Sequence, residues 1–152
     1  MNVTLTPGAL KKFRRSPWRF QQTVELPALG DRDRFVSTII AAVDGLASAT
    51  LTIDEVVFNT ERMTDLCRAA VTLKHDTAIT ALSAAELSAL LMAAFWDGPD
   101  FICIPTPKPF VFYADHDNWI TFYANTKSNH NRIIEPMTSN GYKIVPDWRR
   151  KL

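Results

Sequence analysis

The sequence predicts an α+β fold, a single domain over 1–152 whose helix-rich first two thirds pack on a mostly antiparallel sheet with a late β-hairpin, 110–114 with 119–124. Three observations carry this reading. Apolar residues recur at helical spacing before residue 100, β-branched and aromatic runs dominate after it, and the chain is large enough for its own core. At 152 residues with 47% apolar content, a domain buries roughly 68–70% of its unfolded surface and needs no metal or disulfide to hold it.

Leu10–Arg15 reads as a short helix stopped by Ser16-Pro17, and Phe20–Leu26 alternates as a strand that Pro27 and Gly30 end. Asp31 or Asp33 then caps a helix whose Phe35, Val36, Ile39, Ile40, Val43 and Leu46 form one apolar stripe. Thr50–Phe58 is β-branched enough for a second strand, with Asp54-Glu55 leaving a switch to helix open. Asn59 or Thr60 opens a helix to about Lys74 that would bury Met63, Leu66, Cys67, Ala70 and Val71. Ser83-Ala84-Ala85-Glu86 is a capping box, in which hydroxyl and carboxylate each satisfy an orphan N–H. The helix it starts runs to Trp96 and stops at Asp97-Gly98-Pro99.

Phe101–Ile104 follows as a buried strand, Pro105, Pro107 and Pro109 make a stiff connection, and the two hairpin strands flank the turn Asp115-His116-Asp117-Asn118. Both strands are apolar on both faces, which places the hairpin centrally in the sheet. Ser128 or Asn129 opens a last helix that Pro136 bends and Asn140-Gly141 ends, and Tyr142–Val145 adds an edge strand. Residues 1–16 and 147–152 read as flexible basic tails.

The formal charge of +1 is unevenly placed. Residues 1–20 hold five bases and no acid, 21–100 hold twelve acids against five bases, and 101–152 hold seven bases against four acids. Such segregation suits a binding module with opposed surfaces, while the near-neutral sum disfavours nucleic acid as a partner. No apolar run approaches the roughly 18 residues of a membrane span. With only Cys67 and Cys103, both inside apolar runs, a reduced cytoplasmic protein without membrane contact is expected.

Catalytic constellations are weak. His75-Asp76 and His116-Asp117, with His130, could join a metal-dependent hydrolase or nuclease site, but adjacent ligands diverge where metal pairs need i,i+4 or i,i+2 spacing. Neither cysteine suits a nucleophile, no serine sits in Gly-x-Ser-x-Gly, and five glycines supply no phosphate loop. The expectation is therefore no enzyme, no cofactor, no metal and no small-molecule ligand. The remaining alternatives are the metal-dependent hydrolase and an accessory factor that binds nucleic acid through its basic, aromatic ends, 13–20 and 148–151. Trp18, Trp96, Trp119 and Trp148 lie near segment ends, where tryptophans act as core lids or as interface anchors.

From Pro109 onward, Pro-Phe-Val-Phe-Tyr-Ala-Asp-His-Asp-Asn-Trp-Ile-Thr-Phe-Tyr-Ala-Asn-Thr-Lys-Ser-Asn, then a helix and Asn-Gly-Tyr, the chain resembles small bacterial immunity proteins against contact-dependent or other polymorphic toxins. The resemblance implies a cytoplasmic, non-enzymatic inhibitor that binds one cognate toxin domain and blocks its active site. No individual residue carries over from it. The partner-binding candidates come instead from charge and aromatic placement, namely Asp97, Asp100, Asp115, His116, Asp117 and Trp119.

Overall fold

The computed structural model describes residues 1–70 and 72–151. Among these described residues eight strands, β1 (Asn2–Leu5), β2 (Phe20–Glu25), β3 (Ser48–Glu55), β4 (Thr77–Ala81), β5 (Asp100–Thr106), β6 (Val111–Ala114), β7 (Trp119–Ala124) and β8 (Ile144–Val145), form one sheet ordered β1-β4-β3-β5-β6-β7-β2-β8. Every pairing is antiparallel. The helices are α1 (Ala9–Arg15), α2 (Arg32–Ala42), α3 (Glu61–Cys67), α4 (Ala84–Asp97) and α5 (Lys127–Ser139), with a 3-10 turn at Leu29–Asp31. The architecture is α+β in a single domain, and no described helix is long and apolar enough to cross a membrane.

The period-2 alternation of strands sorts the sheet's side chains onto two unequal cores. On one face Val24, Leu51, Ile53, Ile79, Phe101, Cys103, Phe112, Ile120 and Phe122 meet the apolar stripes of α2, α4 and α5 in one large cluster. On the other face α1 sets Leu10 and Phe13 against Ile102, Val111, Tyr113 and Tyr123 in a smaller cluster. Around that small core this face carries hydroxyls, with Thr23 bonded to Thr121 at 2.8 Å and Thr50 to Thr80 at 3.2 Å. The hairpin is central, with Phe112 opposite Phe122 and Ala114 opposite Ile120, and all four residues of β6 are buried.

Several expectations need correction. Residues 1–16, read as a tail, supply β1 and α1, because Leu10 and Phe13 sit i,i+3 on one buried face of the cationic helix. The helix expected to reach Lys74 ends at Cys67, where Arg68 turns left-handed at φ 50°. The chain then enters β4, which the sequence reading lacks and which inserts between β1 and β3. Ala70 is exposed rather than buried, and Val71 lies outside the described residues, as does Leu152 at the end of the second expected tail. Asp31 occupies the N-cap of α2 without a side-chain cap bond, and α5 is capped by Thr126, whose hydroxyl accepts the Asn129 N–H at 3.1 Å. At α4 the Ser83 hydroxyl accepts the Glu86 N–H at 3.1 Å, while the Glu86 carboxylate lies 3.6 Å from the Met1 amino group instead of reaching back.

Candidate protein-binding surface

One end of the sheet gathers the end of β3, the end of α4, the start of β5 and the β6–β7 turn, and with them every residue singled out as a partner contact. Most of those carboxylates face inward. Asp97, in the last turn of α4 and only 6% exposed, accepts the backbone N–H of Met63 at 2.8 Å and of Arg62 at 3.3 Å. It thereby caps α3, whose own N-cap residue Thr60 makes no side-chain bond. Asp100, 7% exposed, receives both the His116 N–H and the ring Nδ1–H on one oxygen at 2.8 Å. Asp115 closes its turn by accepting from the Asp117 N–H at 2.9 Å and the Trp119 N–H at 3.2 Å, and its other oxygen holds Arg150 at 2.9 Å. Asp97 and Asp100 thus correct the sequence reading, because a buried, hydrogen-bonded carboxylate cannot also present itself to a partner.

Asp117 does face solvent, at 78% side-chain exposure, and His116 beside it is half exposed. The bond to Asp100 pushes the His116 pKa above the ordinary imidazole value, against a smaller opposing effect of burial. Trp119 points to the α1 side of the sheet and meets Trp148 edge-on, with ring centroids 4.7 Å apart.

The surface beside these turns is one the sequence reading mostly missed. β3 stops at Glu55 after a register shift against β5, so Val56, Val57 and Phe58, expected inside the strand, leave the sheet. Phe58 is 58% exposed and Trp96, on the outer side of the last turn of α4, is 50% exposed. An open cleft of about 600 Å³ lies between them, lined also by Asn59, Glu61, Arg62 and Asp65. Arg62 stacks its guanidinium 3.7 Å above the Trp96 ring, and Phe58 meets the His116 ring edge-on at 6.5 Å. Phe58 rests on Gly98, whose φ of +74° ends α4 and whose missing Cβ would stand 3.3 Å from the Phe58 ring. Exposed Glu55, Glu61, Asp65 and Asp117 make the surroundings acidic.

Comparison with family models, curated proteins and solved structures found no match to the chain. Among the described residues no group of three or more His, Cys, Asp or Glu side chains could hold a metal ion. His116 sits with Asp100 and Asp117; His75 sits with Asp54 and Asp76; His130 is buried on α5 against Phe20. The hydrolase arrangement of His116 and Asp117 with either other histidine is thus not assembled. Burial raises the pKa of both thiols, most strongly for the fully buried Cys103, which opposes a reactive thiolate. Tyr113, which donates to Asp54 at 2.6 Å, is held protonated by burial and by that carboxylate.

Taken together, the end of the sheet offers two half-exposed aromatic rings, one stacked arginine and four solvent-facing acids around an open cleft. These are side-chain types that anchor and steer protein association.

Proposed function

We propose that the protein is a non-enzymatic, immunity-type inhibitor that acts in the bacterial cytoplasm by seating the Phe58–Trp96 cleft on a cognate toxin domain and blocking its active site. The observation that carries the proposal is the pair of large aromatic rings left open side by side within an acidic rim, where Val56, Val57 and Phe58 could have continued β3 into the sheet. Tryptophan, arginine and bulky aromatic residues supply most of the energy in a protein interface, and a charged rim sets partner choice and association rate. The acidic rim suits a partner with a cationic working surface, as an enzyme that acts on nucleic acid has. The Pro109–Tyr142 resemblance to immunity proteins points the same way, and His116 and Asp117 border the cleft at its hairpin side. Asp97, Asp100 and Asp115 serve the surface by fixing α3 and the turn, without touching the partner through their carboxylates.

The test is survival. Cells expressing the toxin-like product of the neighbouring gene should grow only when this protein is co-expressed, and the two should purify as a one-to-one complex. Equal death with and without the protein would overturn the proposal.

A further inference from the structure

The two basic ends of the chain, far apart in sequence, come together on the face of the sheet that α1 covers. α1 buries Leu10 and Phe13 and turns Lys11, Lys12 and Arg15 to solvent; Arg19 follows, also exposed. From the other end, the Arg150 guanidinium lies 4.6 Å from the centroid of the Tyr113 ring on which Phe13 also stacks at 6.4 Å, and exposed Arg149 and Lys151 flank Arg150 in the chain. The Tyr123 ring meets Phe13 at 5.2 Å and Trp18 at 6.0 Å, and burial raises its pKa against a lowering by Arg150 and, least, Arg149.

The carboxylates that the strands and the hairpin turn contribute to this face are paired: Asp54 holds Arg14, Asp115 holds Arg150, and Glu25 pairs with Lys143. Among the described residues Lys11, Lys12, Arg15, Arg19, Arg149 and Lys151 form no ion pair, with Asp147 the acid nearest to them in sequence. The cations are interleaved with the half-buried rings of Trp18 and Trp148, and an open hollow of about 440 Å³ runs along Gly8, Lys11, Lys12 and Arg15.

We infer that this α1 face is a second interaction surface, which binds the phosphate backbone of single-stranded nucleic acid. The chain's net charge of +1 disfavours such a partner only while the charges are summed. The fold separates them, placing uncompensated cations on one face and the acidic cleft at one end of the sheet. A phosphate backbone fits this surface better than an acidic protein does, because arginine and lysine beside tryptophan rings can both pair with phosphates and stack on bases. The surface is independent of the Phe58–Trp96 cleft, so either assignment can fail without the other.

Fluorescence anisotropy with a labelled single-stranded oligonucleotide of roughly 16 nucleotides tests it. With about four phosphates neutralised, affinity for a single strand should fall about 50-fold as salt rises from about 50 to 200 mM. The triple variant K11E/K12E/R15E should bind at least about tenfold more weakly, K11Q/K12Q/R15Q should show a smaller loss, and F58A/W96A should bind as the parent does. Absence of binding at low salt, unchanged binding by both triple variants, or equal binding of a polyglutamate of matching length would each overturn the inference.

Discussion

Two neighbouring regions at one end of the sheet use the same residue types in opposite ways. In the turns around Asp97, Asp100 and Asp115 each carboxylate accepts two or more hydrogen bonds from its own chain. Across the cleft, Glu61, Asp65, Phe58 and Trp96 stay open to solvent. The difference teaches that acidic composition does not locate an acidic surface. Acids clustered at turns and helix ends are drawn inward to satisfy backbone N–H groups, whereas those on the outer side of a short helix remain available.

Removing the inward carboxylates should break the framework. Asp97→Ala strips the cap from α3 and should lower stability by about 2 kcal/mol, read as a shifted midpoint in urea unfolding, and Asp100→Ala should cost a similar amount by leaving the His116 donors unpaired. Gly98→Ala forces a left-handed φ on alanine at the junction of the two regions. It should cost about 1 kcal/mol in the same assay and displace the Phe58 ring, visible as a changed His116 ring resonance.

Charge reversal on the open side should leave folding intact. Glu61→Lys with Asp65→Lys should slow association with the partner about tenfold at low salt and change dissociation little, as stopped-flow measurement would resolve. The smallest effect concerns pH. His116 is raised above the unfolded imidazole value, so its bond to Asp100 contributes stability that is full below about pH 6.5 and is lost as pH climbs through the folded-state pKa. Unfolding midpoints measured on both sides of that range should fall as pH rises, and Asp100→Asn should flatten the fall.

Local signals account for much of the fold. The helical stripe of α2, the Ser83 cap and Gly98 stop of α4, and the doubly apolar hairpin strands all follow from residue type and spacing. What the sequence hid depends on long-range partners. β4, Thr-Ala-Ile-Thr-Ala, has small residues and weak alternation, and gains its place only between β1 and β3. α3 ends on a left-handed arginine, Arg68, a stop that residue type does not announce. Asp97 and Asp100 read as surface acids because the N–H groups that claim them belong to residues 62, 63 and 116. The cleft was legible in part, since Trp96 stands at a helix end where anchors occur, but Phe58 is released by a strand end that only the register of β3 against β5 reveals.

The central claim is that Phe58 and Trp96 anchor a protein partner. Isothermal titration of the neighbouring gene's product, the proposed partner, against the parent and F58A/W96A measures it most directly. A one-to-one complex that loses at least about 100-fold in affinity in the variant, with an unchanged unfolding midpoint, is the expected result. A complex of equal affinity in both proteins would contradict it.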